Sequence, residues 1–242
     1  MRKRDPTKTL APSNVTVILG SVSSECYRRS MGRALSRCGV ILAAGESSRM
    51  GRDKALLPWP PRAGESAVAG TFLSAAIELF IPYVDVVLVV VGKNERALMP
   101  IVYANGAALV VNPDPERGQF SSLQAGLQEV LNRGQDAALI TLVDRPPAKP
   151  ATIEALDEAF DHALREGKWA AVPEYQGNHG HPILIGREMI EAFLKAPPSS
   201  SAREVQHAHQ DKIAYVAVED PQVVANVDTP EQYAALPQAV LP

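Results

Sequence analysis

Polar and charged side chains follow a short apolar segment near residue 40 in an order that suits phosphate binding. The segment C-G-V-I-L-A-A-G-E-S-S-R-M-G-R-D-K-A-L-L-P-W begins apolar and continues into a turn of small residues, where the backbone can approach a ligand closely. Backbone N–H groups and the hydroxyls of Ser47 and Ser48 can donate to phosphate oxygens. Arg49 and Lys54 add two cations that suit a polyphosphate. Residues 42–51 therefore predict a phosphate-binding loop.

The spacing of these residues differs from both common glycine-rich nucleotide motifs. Five residues separate Gly45 from Gly51, and Arg52 follows where a P-loop has lysine. The segment also lacks the G-x-G-x-x-G pattern of a dinucleotide-binding turn. An ordinary strand-to-loop turn with solvent-exposed charges is the alternative that these residues leave open.

Two aspartates that follow apolar runs are candidate metal ligands. Asp144 comes after the run 137–143, and Asp228 lies in the sequence N-V-D-T-P. Mg²⁺ prefers oxygen ligands, often one or two carboxylates completed by phosphate and water. Such an ion offsets charge that develops in a transition state. A turn aspartate and a helix N-cap are the structural alternatives, and the sequence does not show that the two carboxylates meet.

Two further polar segments are candidate ligand-binding elements. The segment N-P-D-P-E-R-G-Q-F-S-S ends in Ser121 and Ser122 near the start of a predicted helix, which suits an anion or serves as a plain N-cap. His179 and His181 form an H-x-H pattern in G-N-H-G-H-P. Zinc needs further histidine or cysteine ligands, so a turn before a strand is the favoured interpretation.

The elements that position these residues alternate between strand and helix from residue 39 onward. Nearly all-apolar runs such as V-D-V-V-L-V-V-V are typical of strands covered on both faces in a parallel sheet. The predicted strands are 39–43, 84–91, 107–112, 137–143, 169–172, 182–185 and 213–218. The predicted helices are 67–80, 95–105, 121–132, 151–165 and 187–194. This order predicts a three-layer α/β/α domain with a mostly parallel central sheet, in which ligands bind beyond the carboxyl ends of the strands.

The composition is that of an ordinary globular chain. Of the 242 residues, 46% are hydrophobic and 21% charged. An aromatic content of 5% and a net charge of −3 disfavour a nucleic-acid partner. No run approaches the ~18–20 apolar residues of a membrane span, so no membrane partner is expected. The two cysteines, Cys26 and Cys38, favour a reducing cytoplasm.

Basic residues are concentrated at the front of the chain. Residues 1–38 hold eight of the 24 basic and two of the 27 acidic residues, which leaves a net charge of −9 in residues 39–242. The apolar piece at 15–20 is too short for a signal-peptide core. We therefore expect residues 1–37 to be a basic extension, either a flexible tail or sequence upstream of a start at Met31, and residues 38–242 to form the domain.

The phosphate-loop segment as a whole resembles a known signature. It matches L-A-A-G-x-S-x-R-M-G-x-x-K-x-L-L-P of the MobA-like nucleotidyltransferases, which include the molybdenum cofactor cytidylyltransferases, at every fixed position. The resemblance implies a Rossmann-like nucleotidyltransferase domain in which the nucleotide lies against the start of the signature, at Leu42, Ala43, Ala44 and Gly45. It implies that Arg49 neutralises the leaving pyrophosphate and that Lys54 contacts the phosphates around the reacting α-phosphorus.

Later segments are similar to further elements of this family. L-V-D-R-P-P and N-V-D-T-P-E-Q-Y look like the family's L-x-D-Q-P and D-[IV]-D-T-P-E-D-Y, which places Asp144 and Asp228 at its Mg²⁺-binding positions. The match to N-x(5)-G-x(2)-S-S-L-x-x-G-L implies that Ser122 faces the nucleotide and that Gly118 shapes its pocket. The G-H-P element makes His181 a candidate contact to the acceptor.

One departure from the family pattern falls beside the first aspartate. Arg145 stands where the family usually has glutamine. Its positive charge could tune the choice of acceptor, bind a phosphate or weaken metal binding.

The resemblance, which covers about residues 39–233, implies a reaction. An acceptor phosphate oxygen attacks the α-phosphorus of a nucleoside triphosphate and pyrophosphate leaves, with Arg49, Lys54 and Asp144 as the catalytic residues. Relatives with L-A-A-G are usually cytidylyltransferases and those with L-A-G-G guanylyltransferases, so Ala44, whose methyl narrows the base pocket, favours CTP. The best-fitting acceptor is the molybdopterin–molybdenum cofactor, and a molybdoenzyme is a candidate partner. The alternatives are a guanylyltransferase, a nucleotidyltransferase for a sugar or polyol phosphate, and a non-catalytic chaperone that binds nucleotide or cofactor.

Overall fold

The apolar runs of the sequence form the strands of a central sheet. The computed structural model describes residues 34–45, 47, 50–61 and 70–236. Within them the strands are β1 (Arg37–Leu42), β2 (Pro58–Trp59), β3 (Gly70–Thr71), β4 (Val86–Val91), β5 (Ala108–Val111), β6 (Ala137–Leu142), β7 (Ala170–Tyr175), β8 (Asn178–His179), β9 (Ile183–Gly186) and β10 (Ile213–Ala217). The main sheet has the order β10-β7-β9-β6-β1-β4-β5, with β8 beside β7, while β2 and β3 pair separately. Since only β8 and β9 run antiparallel to their neighbours in the main sheet, the predicted, mostly parallel sheet is confirmed.

Helices cover both faces of this sheet because successive strand residues point to opposite sides. The helices are α1 (Phe72–Phe80), α2 (Glu95–Ala104), α3 (Gln119–Asn132), α4 (Pro150–Arg165), α5 (Arg187–Lys195), α6 (Ala202–Ala208) and α7 (Pro230–Ala234). Apolar residues of α1, α2 and α4 pack with Ile41 of β1 on one face. Residues of α3, α5 and α6 pack with Val40 on the other. The three predicted layers are therefore confirmed.

Helix α3 lies close to the sheet because of one glycine. A Cβ at Gly126 would lie 2.8 Å from Val90 Cγ2 and 2.9 Å from Val40 Cγ1, so any larger side chain would push the helix away. The close approach holds the N-terminus of α3 beside the ends of β1 and β4.

The carboxyl ends of four parallel strands lie side by side. Leu42 at the end of β1 is in register with Leu142 of β6 and with Val90 of β4, and Val91 pairs with Val111 of β5. The loops that follow these strands therefore leave the sheet at one edge, where ligands of such sheets bind.

The front of the chain is described from residue 34. Arg37, at the predicted boundary of the extension, is the first residue of β1, and its guanidinium pairs with Asp157 at 2.6 Å and Asp161 at 2.7 Å. Residues 1–33 of the predicted basic extension lie outside the described residues, so the division at residue 37 stays a prediction. Within the described ranges, no helix is both long and apolar enough to cross a membrane.

Candidate active site

A cleft of about 660 Å³ opens at the carboxyl edge of the sheet. Its walls come from the loops that follow β1, β4, β5 and β6, from the N-terminus of α3 and from the segment before α7. Most of the residues predicted to bind nucleotide or metal line this cleft, namely Leu42, Ala44, Gly45, Lys54, Gly118, Ser122, Asp144 and Asp228.

Lys54 joins the two predicted metal-binding aspartates. Its side chain is nearly buried, and its Nζ lies 2.7 Å from Asp228 Oδ1 and 3.5 Å from Asp144 Oδ2. A short 3₁₀ turn, Lys54–Leu56, presents the lysine because Asp53 Oδ1 accepts from the N–H of Ala55 at 2.9 Å. Ser47 Oγ also accepts from the N–H of Lys54 at 3.1 Å. Three residues that are distant in the sequence thus form one charged cluster.

The segment before α7 docks on the loop that carries Asp144. The N–H of Val227 donates to the carbonyl of Asp144 at 2.9 Å. Thr229 is the N-cap of α7 and forms a capping box with Gln232. Since Thr229 supplies the cap, the Asp228 carboxylate is directed to Lys54 and to the Asn226 amide instead. This arrangement explains how an aspartate beside a helix N-terminus comes to face the cleft.

The carboxylate pair has the donor chemistry of a divalent-cation site. Asp144 Oδ1 is buried and accepts no hydrogen bond from any described residue, which is costly for a carboxylate oxygen without a cation. Among the described residues there is no group of three or more His, Cys, Asp or Glu that could hold a metal. A cation held by Asp144 and Asp228 would therefore take its other ligands from phosphate and water, as Mg²⁺ commonly does.

The opposite wall is formed by the N-terminus of α3. Gly118 has a φ of 91°, a left-handed conformation that favours glycine, and it is the N-cap residue of α3. The Asn112 amide, which was not among the predicted site residues, donates to the hydroxyls of Ser121 and Ser122, each at 2.9 Å. A hydroxyl that accepts in this way keeps its proton to donate, so Ser122 can bind an acceptor atom in the cleft.

The match to a known family agrees with this geometry. Residues 39–213 match the model of the MobA-like NTP transferase domain. The chain belongs to this family. The matched range contains the signature loop, Lys54, Asp144 and the start of α3, whereas Asp228 lies beyond it.

Proteins similar to this chain carry different names. The chain is 27% identical over 198 residues to the molybdenum cofactor cytidylyltransferase of Escherichia coli K12, covering 80% of this chain and 92% of that protein. It is also 27% identical to a probable molybdenum cofactor guanylyltransferase of Mycolicibacterium paratuberculosis, covering 86% and 99%. It is 33% identical to a protein named nicotine blue oxidoreductase from Paenarthrobacter nicotinovorans, covering 80% and 93%. The crystal structure of Rv0371c from Mycobacterium tuberculosis H37Rv matches with a TM-score of 0.68 and 26% identity, covering 84% and 97%.

Asn94 connects three segments of the cleft, although it is not among the site residues predicted from the sequence. Its Nδ2 donates to the carbonyl of Ala43 at 2.8 Å and to Asp53 Oδ2 at 2.7 Å, while its Oδ1 accepts from the N–H of Gly92 at 3.1 Å. The amide therefore ties the signature loop and the loop after β4 to the turn that presents Lys54. A single asparagine at the start of a helix matches no motif, so the sequence carries no signal of this role.

We expect Asn94→Asp to lower kcat by about 10- to 100-fold, because a displacement of the Lys54 turn by a fraction of an ångström would misplace a predicted catalytic group. The carboxylate keeps the shape of the amide but cannot donate, and it would face the Asp53 carboxylate. Steady-state kinetics should show recovery in the swapped double variant Asp53→Asn/Asn94→Asp, which restores a donor–acceptor pair. If the kcat of the double variant were no higher than that of Asn94→Asp, this pair of side chains would not position Lys54.

The rim of the cleft carries an ion pair that the sequence did not reveal. Lys93, after β4, and Glu116, after β5, line the cleft, and Lys93 Nζ lies 2.8 Å from Glu116 Oε1. Both side chains are well exposed, so this pair contributes little to stability. They lie on neighbouring loops only because β4 and β5 are paired, a fact that sequence spacing does not give.

Arg145 turns away from the cleft lining toward the segment that leads to Asp228. Its Nη1 donates to the carbonyls of Val223 at 3.1 Å and Ala225 at 3.3 Å. Burial lowers the pKa of the guanidinium, while the charges of Asp144 and Asp228 act in the opposite direction. Arginine remains charged at neutral pH even so, and Arg145 therefore places a fixed positive charge behind both aspartates.

His181 packs beside Arg145 and does not line the cleft described above. The backbone N–H of His181 donates to the Val223 carbonyl at 2.9 Å, and the ring Nδ1 lies 3.4 Å from the Ile140 carbonyl. Burial, reinforced by the positive charge of Arg145, lowers the pKa of His181 from 6.5 to about 4. The imidazole is therefore neutral at pH 7, and its predicted contact with the acceptor stays a prediction.

We expect His181 to make the fold less stable as the pH falls. In the unfolded chain its pKa is ordinary, near 6.5, whereas in the folded chain it is about 4. Below pH 6.5 protonation favours the unfolded chain, so the unfolding free energy falls by up to about 1.4 kcal/mol per pH unit until pH 4. Denaturant titrations at pH 7, 6 and 5 should show a shallower loss in His181→Gln than in the wild type. The exposed control His162→Gln should follow the wild type, and equal slopes in all three proteins would contradict the burial of a neutral imidazole.

Two predicted nucleotide-binding residues remain, Arg49 and Ala43. Arg49 lies outside the described residues, so its role at the leaving pyrophosphate stays a prediction. Ala43 is buried under the loop, where its N–H donates to the carbonyl of Val90 at 2.8 Å and its own carbonyl accepts from Asn94. It shapes the loop from beneath, while Ala44 and Gly45 face the cleft.

Proposed function

We propose that this chain transfers CMP from CTP to a phosphorylated acceptor, with the molybdopterin–molybdenum cofactor as the best-fitting acceptor, and releases pyrophosphate. The observation that carries this proposal is the Lys54 ammonium between Asp144 and Asp228, in a cleft whose other walls are a small-residue loop and a helix N-terminus. The names of two relatives, a cytidylyltransferase and a probable guanylyltransferase, support nucleotidyl transfer to this cofactor.

The residues of the cleft supply positioning and charge for this reaction. A bond forms between an acceptor phosphate oxygen and the α-phosphorus, the bond to the bridging oxygen of the β-phosphate breaks, and pyrophosphate carries away the electron pair. Lys54 and Arg49 would neutralise charge on the phosphates, and Ser122 with the N-terminus of α3 would donate to the nucleotide. Because the attacking phosphate is already ionised at neutral pH, no general base is required, and orientation should dominate the rate.

A divalent cation is part of the proposal. Asp144 and Asp228 would hold Mg²⁺, which when bound stabilises the charge that builds up on the phosphate oxygens. The buried, unsatisfied Oδ1 of Asp144 supports this assignment.

The nucleobase of the bound triphosphate would lie on the side of the cleft formed by the loops after β4 and β5. Adjacent strands are ~4.8 Å apart, so the ends of β4 and β5, which precede Lys93 and Glu116, lie roughly 10–14 Å from the end of β6, about the span from the reacting phosphate to the base. Ala44 follows β1, which lies between β6 and β4. Its methyl would narrow the base pocket and disfavour a purine.

Nucleotide choice can be tested by thermal shift with CTP, GTP, ATP and UTP in the presence of Mg²⁺. Ligands that bind the native state raise its apparent stability, so CTP should raise Tm most. We expect Ala44→Gly to reduce the difference between CTP and GTP. A larger shift with GTP in the wild type would contradict the preference for CTP and favour the guanylyltransferase alternative.

A further inference from the structure

Two fixed cations flank the two carboxylates of the candidate metal site. Lys54 Nζ contacts both aspartates from the cleft side. Arg145 follows Asp144 directly, and its guanidinium is held by carbonyls of the segment that leads to Asp228. Its Nε is buried and has no hydrogen-bond partner among the described residues. The guanidinium is also near enough to both aspartates for their charges to raise its pKa against the effect of burial.

Among the described residues, the charges of this cluster cancel. Asp144 and Asp228 contribute two negative charges, and Lys54 and Arg145 contribute two positive ones. With glutamine in place of Arg145, as the resembling family pattern has it, the same cluster would carry one net negative charge. A hydrated dication gains little from a site of zero net charge, because it loses hydration without a compensating attraction.

A polyphosphate changes this balance in two ways. It brings several negative charges into the cleft, and it offers Lys54 other acceptors than the aspartates.

We propose that Arg145 makes metal binding depend on nucleotide, so that the free protein binds a divalent cation weakly and the cation enters with the triphosphate. This inference rests on the proposed function only in taking Asp144 and Asp228 as the metal ligands and a triphosphate as the ligand of the cleft. Arg145, which stands where the family usually has glutamine, would then affect the order in which nucleotide and metal bind and not the choice of acceptor.

The test is a titration of the full chain with Mn²⁺ alone, following loss of the aqueous Mn²⁺ signal by electron paramagnetic resonance. Arg145→Gln should bind Mn²⁺ at least about tenfold more tightly than the wild type, since it removes one nearby positive charge. Arg145→Lys keeps the charge and should bind as weakly as the wild type. The exposed control Arg187→Gln should also behave as the wild type.

A second titration adds a non-hydrolysable CTP analogue. Because the triphosphate of the analogue binds Mn²⁺ by itself, a titration of the analogue without protein is the reference. Beyond that reference, we expect Mn²⁺ binding to the wild type to become much tighter with the analogue, and the difference between wild type and Arg145→Gln to shrink. Equal Mn²⁺ affinity of the wild type with and without the analogue would overturn the proposal. So would Arg145→Lys binding as tightly as Arg145→Gln, because charge would then not be the cause. These titrations need no acceptor and no turnover, so a failure of CMP transfer would count against the proposed function and not against this inference.

Discussion

Lys54→Met should lower kcat/KM for nucleotidyl transfer by about 10³-fold or more. The substitution keeps an unbranched side chain of similar length in a nearly buried position but removes the cation that lies between Asp144 and Asp228. Removing a single preorganised electrostatic contact in an active site commonly costs 10²–10³-fold in kcat. The loss should lie at or above the upper end of this range, because Arg145 would then be the one described positive side chain left to offset the two carboxylates.

Pyrophosphate release from CTP in the presence of Mg²⁺ and the cofactor acceptor measures this effect. The exposed lysine Lys195, which pairs with Glu191 on α5, offers a matched control, and Lys195→Met should retain wild-type activity. Thermal unfolding of both variants separates a loss of catalysis from a loss of fold. A Lys54→Met protein that is folded and within tenfold of wild-type activity would show that the Lys54 cation is not required for the reaction.

Asp144→Asn is expected to reduce turnover by about 10³-fold with the fold intact. Asparagine has the shape of aspartate but lacks the charge that a divalent cation requires. The backbone carbonyl of residue 144 would still accept from Val227, so the segment that carries Asp228 should stay docked. Asp144→Ala should be equally inactive.

Turnover measured over a range of Mg²⁺ concentrations, beside circular dichroism, checks this second expectation. Asp211→Asn, in an exposed turn far from the cleft, serves as the matched control. Normal turnover by a folded Asp144→Asn protein at any Mg²⁺ concentration would show that the metal assignment is wrong.

The strands and layers could be predicted because burial leaves a direct trace in the sequence. A strand covered on both faces must be apolar at nearly every position, and β1, β4 and β6 are. The antiparallel direction of β9 leaves no such trace, because an apolar run looks the same in either direction.

The cleft was predictable only in part. Residues 42–54 are continuous in the chain, so their role could be inferred from type and spacing, and half of those described line the cleft. The meeting of Lys54 with Asp228, which is 174 residues away, depends on the hydrogen bond between Val227 and Asp144. That contact is a property of tertiary packing, as are the links made by Asn94 and the direction taken by Arg145.

The most direct test of nucleotidyl transfer is to follow two labels in CTP, one at the α-phosphorus and one at the γ-phosphorus. With Mg²⁺ and the molybdopterin–molybdenum cofactor, the α label should move to the acceptor product and the γ label should appear in pyrophosphate, in equal amounts. An α label that remains in CDP, with the γ label in inorganic phosphate or on the acceptor, would contradict cleavage between the α- and β-phosphates and with it the proposed reaction.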